Sequence, residues 1–131
     1  MDFFKTYFID ILKYKYADFS GRARRKEYWM FLLCYILAFM GLAIVGGILS
    51  ALISQTVMIL FGILMLILAL GIIVPSIAMS VRRLHDTGKS GLFYLLIFVP
   101  FGSIVLLVFY IMEGDMGTNE YGPDPKEEEY N

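Results

Sequence analysis

Charged residues are absent from the middle of this chain. No Asp, Glu, Lys or Arg occurs between Tyr28 and Val81, a stretch rich in Leu, Ile, Val, Phe and Met. Because a helix of about 20 apolar residues crosses the hydrocarbon core of a bilayer, the stretch is long enough for two crossings. A further uncharged run, from Leu92 to Met112, is about one crossing long. This lack of charge excludes an ordinary soluble domain and predicts a membrane protein.

The uncharged runs predict an all-α integral membrane protein that forms a single membrane domain. Three transmembrane helices are expected, over residues 28–53, 56–81 and 91–112. The third run carries Pro100 and Gly102 near its middle. A broken or re-entrant helix therefore stays open as an alternative to a full third crossing.

Histidine and cysteine each occur once, as His85 and Cys34. A single cysteine excludes an intramolecular disulfide, and one histidine cannot build a metal site without further ligands of its kind. No ionisable Asp, Glu, Lys, Arg or His lies inside a predicted span, which weighs against proton relays and pathways for charged substrates. The sequence thus predicts no metal, no cofactor and no catalytic residue.

The basic residues are concentrated in two segments. Residues 1–27 hold seven Lys or Arg and four Asp or Glu, residues 82–90 hold three and one, and residues 113–131 hold one and seven. Cytoplasmic loops beside membrane spans collect Lys and Arg. We therefore expect the N-terminus and residues 82–90 to face the cytoplasm. A full third crossing would place the acidic tail, residues 113–131, on the other side.

Residues 1–18 are predicted to form a short amphipathic helix. One helical face of residues 3–12 carries apolar side chains, those of Phe3, Phe4, Tyr7, Phe8, Ile11 and Leu12. A helix this short and this aromatic is expected to lie among lipid headgroups, although packing against a protein surface stays open. The basic cluster that follows it would attract anionic lipid at about 1 kcal/mol per residue.

Small residues in the first span predict close helix packing. Their positions recur every four residues on two adjoining stripes, and the candidates are Gly46, Gly47, Ser50 and Ala51. Small side chains at this spacing let two helix backbones approach, either within the chain or between two copies of it. In the second span Pro75 removes one helical hydrogen bond, and a neighbouring residue is expected to satisfy the carbonyl that it frees.

The polar loop between the second and third runs holds the residues most able to bind a ligand. Together with the basic cluster it gives a candidate face for a lipid headgroup or a protein partner, composed of Arg22, Arg24, Arg25, Arg82, Arg83, His85 and Asp86. The neighbouring His85 and Asp86 also offer an acid and base pair, the basis of an enzyme alternative. That alternative lacks a further catalytic group in the sequence.

Three polar segments together resemble one protein family. Residues 19–29 (FSGRARRKEYW), 82–91 (RRLHDTGKSG) and 117–125 (GTNEYGPDP) are similar to signatures of the small bacterial inner-membrane proteins grouped as domain of unknown function 805. Leu92 departs from the pattern, in which an aromatic residue usually follows Gly91. The resemblance implies a multi-pass protein of the bacterial inner membrane. It implies no reaction, substrate or catalytic residue.

The function predicted from these observations is non-enzymatic. We expect the basic face to bind anionic lipid headgroups or a membrane protein partner, with a homo-oligomer as a further possibility and no nucleic acid as partner. The alternative is a small oligomeric transporter or channel subunit, in which kinks at Pro75 and Pro100 open a path lined by Ser76, Ser80 and Ser103. Three uncharged helices would need to oligomerise to enclose such a path.

Overall fold

The computed structural model describes residues 5–125, and its regular structure is helical. The α-helices in chain order are α1 (Asp10–Tyr14), α2 (Arg25–Leu52), α3 (Gln55–Asp86) and α4 (Gly102–Ile111). A π-helical turn, Lys5–Ile9, leads into α1, and a 3-10 helix, Gly91–Phe98, precedes α4. Within residues 5–125, β pairing is limited to an isolated bridge between Asn119 and Gly122. The predicted all-α class is confirmed.

Helices α2 and α3 form the body of the protein. Both are long and apolar enough to cross a membrane, and most of their apolar side chains point outward. They correspond to the first two predicted spans. The chain reverses between them through Ile53 and Ser54, and Ser54 adopts an extended backbone at the start of α3. Outward-facing apolar side chains are what a hydrocarbon environment favours, since they need no protein cover there.

The predicted packing residues lie in different surroundings. Gly46 is buried, and a Cβ added to it would lie 2.7 Å from the ring of Phe61 on α3, so the two helices approach closely there. Gly47 faces open space. Ser50 is half-buried and Ala51 is exposed. The stripe through Gly46 therefore contacts α3, whereas the stripe through Gly47 and Ala51 faces outward.

The N-terminal segment packs against the two long helices. Phe8 and Ile11 are buried in a cluster with Phe31, Cys34 and Met79, and the rings of Phe8 and Phe31 lie 5.6 Å apart. Phe8 and Ile11, which belong to the apolar face that we predicted to lie among headgroups, thus pack on the two long helices. Residues 1–4 of the predicted helix lie outside the described residues.

The third uncharged run is divided into two short helices, where we expected one helix over 91–112. The break falls at Phe101, whose φ of 63° is left-handed, and at Gly102, where an added Cβ would overlap the carbonyl oxygen of Leu96. Pro100 provides no amide hydrogen, and Gly102 closes the turn by donating to the Val99 carbonyl at 2.8 Å. Such a reversal is incompatible with a continuous helix.

The two short helices lie side by side as a hairpin. The rings of Phe93 and Phe109 are 6.0 Å apart, and the ammonium of Lys89 lies 4.6 Å from the Phe109 ring centroid. Leu106 and Tyr110 pack against Leu84 near the end of α3. The hairpin therefore leaves the end of α3 and returns to it. This return brings the segment after α4 to the polar end of the two long helices.

Candidate functional site

A buried ion-pair cluster occupies the polar end of α3. The carboxylate of Asp86 accepts from Arg22 Nε at 3.0 Å through one oxygen and from Arg83 Nη1 at 2.7 Å through the other. The three side chains are between 0% and 2% exposed. Arg83 and Asp86 are one helical turn apart on α3, whereas Arg22 reaches them from the segment before α2. We call these three residues the arginine-aspartate cluster.

Burial acts against the charged forms in this cluster. It raises the pKa of the Asp86 carboxyl, while the charges of Arg83 and Arg22 oppose that rise. Burial also lowers the pKa of Arg83, and Asp86 opposes that change. Buried ion pairs are favourable only where further hydrogen bonds satisfy the remaining donors. The cluster holds two arginines for one carboxylate, so acceptors from elsewhere in the chain are needed.

Backbone carbonyls of the C-terminal segment supply those acceptors. Arg22 donates through Nη1 to Gly117 at 2.6 Å and through Nη2 to Asp115 at 2.5 Å. Arg83 donates to the carbonyls of Tyr110 and Met112, at the end of α4. The last carbonyls of a helix lack intrahelical partners and carry partial negative charge, so a guanidinium there is stabilising. The two arginines thus hold residues 110–117 against α3.

Two residues of α2 support the same contact. Trp29 Nε1 donates to the Tyr110 carbonyl at 3.2 Å, and Arg25 Nη1 donates to the Ile111 carbonyl at 3.1 Å. Arg25 also lies 3.5 Å from the Glu113 carboxylate, at a more exposed position. The end of α4 is therefore bound by donors from both long helices.

His85 is covered by the C-terminal segment. Its ring stacks on that of Tyr121 at a centroid distance of 4.0 Å and an angle of 1°, and its Nδ1 lies 2.9 Å from the Gly21 carbonyl. Asn119 donates to the His85 carbonyl at 2.9 Å. Since a carbonyl only accepts, Nδ1 carries the hydrogen. The His85 imidazole thus points to Gly21, away from an acid and base pairing with Asp86.

Arg82 faces the opposite side, toward the N-terminal segment. Its Nη1 donates to the Asp18 carbonyl at 2.5 Å, and its own carbonyl accepts from the Ala23 amide at 2.9 Å. Burial lowers the pKa of Arg82, with the charges of Asp18 and Glu27 opposing the change. The side chain of Ser20 donates to the Asp18 carboxylate at 2.8 Å and lowers its pKa. Arg82 therefore binds the turn before α2 to the end of α3.

The structure separates the candidate site into an inner and an outer group. The inner residues are buried and engaged with other parts of the chain; they are Arg22, Arg82, Arg83, His85 and Asp86. Arg24 and Arg25 lie in the outer group and are half-exposed. A headgroup or a partner can reach the outer group directly. It reaches the inner residues other than Arg82 only if residues 110–124 move, and it reaches Arg82 only if the segment around Asp18 moves. The seven residues predicted from the sequence as one face therefore differ in exposure.

Several contributors to the cluster have no chemical signature in the sequence. Gly117, Asp115 and Tyr110 act through backbone carbonyls, which any residue would provide. The sequence signal of an ordered turn in this segment is its glycines. In the structure Gly117 and Gly122 have positive φ, at 74° and 137°. Among residues 5–125, no group of three or more His, Cys, Asp or Glu is placed to hold a metal ion.

The sequence matches one known protein family over most of its length. The family model described as "Protein of unknown function (DUF805)" matches residues 16–123. The chain belongs to this family. The polar segments 19–29 and 82–91 lie within the matched residues, and so does the third segment as far as residue 123. The three residues of the arginine-aspartate cluster therefore lie inside the DUF805 region.

Curated relatives of this DUF805 protein come from Escherichia coli K12. The chain is 45% identical to "Inner membrane protein YhaI" over 125 residues, covering 92% of this chain and 95% of the relative. It is 40% identical to "Inner membrane protein YhaH" over 121 residues, covering 92% and 96%. No solved structure matches the chain. Together with helices α2 and α3, these relatives identify a multi-pass protein of the bacterial inner membrane.

Proposed function

We propose that this DUF805 protein is a non-enzymatic membrane protein whose outer basic residues bind anionic lipid headgroups at the cytoplasmic surface. The supporting observation is the exposure of basic side chains in residues 13–26, before the uncharged stretch of α2 begins at Tyr28. These outer residues are the exposed Lys13, Lys15 and Lys26 together with Arg24 and Arg25, which are half-exposed. Each basic residue near an anionic membrane contributes about 1 kcal/mol. Five together favour anionic lipid strongly.

The orientation belongs to the same proposal. The Lys and Arg residues of segments 1–27 and 82–90, at the start of α2 and the end of α3, favour a cytoplasmic location for the N-terminus and for the polar end of both helices. The outer residues then face the cytoplasmic leaflet, whose anionic lipids attract them. The small uncharged turn at Ser54 lies on the opposite side.

We further propose that residues 91–111 re-enter the membrane instead of crossing it. The 3-10 helix has eight residues and α4 has ten. At rises of about 2.0 and 1.5 Å per residue, each leg is about 15 Å long, half of a hydrocarbon core of about 30 Å. Their contacts at Phe93 and Phe109 agree with a hairpin that enters and leaves on one side. The C-terminus then joins the N-terminus in the cytoplasm.

In this proposal the inner group has a structural role and does not bind the lipid. Within residues 5–125, Arg22 and Arg83 direct their guanidinium donors to backbone carbonyls and to Asp86. The transporter alternative takes second place, since the Ser80 hydroxyl donates to the Ser76 carbonyl at 2.9 Å within α3. Ser80 is also only 7% exposed, so its side chain is buried within the chain.

Neutralising the outer residues tests the proposal. The variant Lys13→Gln/Lys26→Gln removes two exposed positive charges without touching the inner group. Nanodiscs containing equal phosphatidylglycerol and phosphatidylcholine would be prepared, and the lipids retained by the protein counted by native mass spectrometry. We expect the preference for phosphatidylglycerol to fall about tenfold or more, since two basic residues contribute about 2 kcal/mol.

A matched control separates local binding from net charge. The variant Met116→Glu/Thr118→Glu adds two negative charges at exposed positions of the C-terminal segment. It changes the net charge equally but leaves the outer residues intact, so we expect the lipid preference to stay near that of the wild type. Equal lipid preference in the wild type and the lysine variant would overturn the proposal.

A further inference from the structure

A pocket of about 320 Å³ lies between the N-terminal segment and the start of α2, outside the arginine-aspartate cluster. Its size is at the lower end of the range for small-molecule sites, about 300–1,000 Å³. Charged and aromatic side chains dominate its walls, and those that matter here are Tyr7, Asp10, Tyr14, Lys15, Arg24 and Glu27. It therefore presents groups of both signs to one half-open pocket.

Glu27 is the most informative residue of the pocket. Its side chain is 23% exposed, and its carboxylate lies 3.9 Å from Arg24 Nε, beyond hydrogen-bond distance. Among residues 5–125 it accepts no side-chain hydrogen bond. Burial raises the pKa of the Glu27 carboxyl, against the opposing charges of Lys15 and Arg24. A mostly buried carboxylate without a donor is stabilised by a ligand that brings one.

The pocket lies at the depth of lipid headgroups. Glu27 directly precedes Tyr28 and Trp29, which begin the uncharged stretch of α2. Tyrosine and tryptophan favour the boundary between the hydrocarbon core and water. Tyr7 and Tyr14 in the pocket walls add two more aromatic rings at this level. A ligand that enters here comes from the membrane interface.

We propose that this pocket binds the phosphoethanolamine headgroup of a membrane phospholipid. The primary ammonium of that headgroup donates to Glu27 and Asp10, and its phosphate accepts from Lys15. Arg24 remains beside Glu27 as a wall of the pocket. Phosphocholine has the same charges but no N–H donor, so it leaves the Glu27 carboxylate without a hydrogen bond. The pocket thus discriminates between two headgroups of equal net charge.

This site shares Lys15 and Arg24 with the anionic-lipid surface of the proposed function but selects its ligand by other groups. The surface attracts net negative charge through exposed lysines, whereas the pocket selects an ammonium through its carboxylates. Lys13 and Lys26 do not line the pocket. The variant Lys13→Gln/Lys26→Gln therefore leaves the choice between the two zwitterionic headgroups unchanged, so either proposal can fail without the other.

The test compares two zwitterionic lipids. The full chain would be released from nanodiscs holding equal phosphatidylethanolamine and phosphatidylcholine, and the retained lipids counted by native mass spectrometry. We expect the wild type to retain phosphatidylethanolamine in preference. Glu27→Gln should lower that ratio at least about tenfold, since it removes a charge-assisted hydrogen bond. Asp10→Asn, a second variant at the pocket, should lower it in the same direction.

Glu120→Gln is the matched control, because Glu120 is exposed and lies outside the pocket. We expect it to keep the wild-type ratio. A wild type that retains both lipids equally would overturn the inference, as would an unchanged ratio in both Glu27→Gln and Asp10→Asn. Melting temperatures give an independent check, because a bound ligand stabilises the folded state. The wild type should melt higher in phosphatidylethanolamine than in phosphatidylcholine, and Glu27→Gln should melt equally in both.

Discussion

The hydroxyl of Tyr16 donates a 2.6 Å hydrogen bond to the backbone carbonyl of Gly71. Four residues further along α3, Pro75 has no amide hydrogen to give to that carbonyl. In an apolar environment an unpaired carbonyl is costly. The contact therefore explains how a proline is accommodated inside a long helix, and it attaches the segment after α1 to α3.

Replacing Tyr16 by Phe should destabilise the protein by about 1 kcal/mol, since it removes this hydrogen bond and leaves the Gly71 carbonyl unpaired. Thermal unfolding in detergent measures the effect. Tyr14→Phe is the matched control, because Tyr14 is 71% exposed. In a Pro75→Ala background, the new amide pairs with Gly71, so Tyr16→Phe should lose most of its effect. Equal costs in both backgrounds would contradict this explanation.

The arginine-aspartate cluster predicts a large effect of an isosteric change. Asp86→Asn removes the negative charge between Arg22 and Arg83, both of which are buried. Breaking a buried ion pair in this way costs about 3–5 kcal/mol. We expect a sharp loss of thermal stability and of purified yield. Glu120→Gln, an exposed acid-to-amide change, should have almost no effect; similar stability of the two variants would show that the cluster contributes little.

The turn of the hairpin predicts a contrast between two glycines. Gly102→Ala places a methyl group against the Leu96 carbonyl and should open the turn, whereas Gly47→Ala meets open space. We expect Gly102→Ala to lower the melting temperature clearly and to increase proteolysis of residues 112–125. Gly47→Ala should leave both unchanged. A Gly102→Ala protein with wild-type proteolysis would be evidence against the close approach at Leu96.

Strain at Phe101 predicts a stabilising substitution. Its φ of 63° is left-handed, a conformation that costs an L-residue roughly 1–2 kcal/mol and a glycine little. Phe101 is exposed, so its side chain contributes little packing within the chain. Phe101→Gly should therefore raise the melting temperature in detergent. Phe98→Gly, at an equally exposed position without positive φ, serves as control and should lower it or leave it unchanged.

The proposed re-entry of the hairpin makes a topological prediction. Paired reporters, one active only outside the membrane and one only inside, would be fused after Asn131. We expect the inside reporter to be active, as for a fusion before Met1. Activity of the outside reporter at the C-terminus would mean that residues 91–112 cross the membrane completely. That result would separate Asn119 from His85, which contact each other in the structure.

The sequence predicts the long helices well because their signal is physical. Charge is excluded from hydrocarbon, so an uncharged stretch as long as that from Tyr28 to Val81 predicts membrane spans, and helices α2 and α3 cover it. Pro100 and Gly102 also indicate a break in the third run. The reversal of the chain at these residues also depends on the close approach of the Leu96 carbonyl to Gly102, which no local sequence pattern predicts.

The candidate site was harder to predict because charge usually indicates exposure. Arg22 and Asp86 are 64 residues apart, and nothing in their spacing shows that they pair in the interior. Their remaining partners are backbone carbonyls, which have no residue signature. The need for a donor to the Gly71 carbonyl follows from Pro75, but the identity of that donor, Tyr16, depends on the packing of the N-terminal segment.

The contacts of Arg22 have a consequence for the order of events during synthesis. Arg22 leaves the ribosome early, but its acceptors at Asp115 and Gly117 follow 93 and 95 residues later. Helices α2 and α3 are complete in the chain before those carbonyls exist. The polar end of the molecule therefore closes last, and until residues 115–117 are made, Arg22 is open to water and to the lipid headgroups beside it.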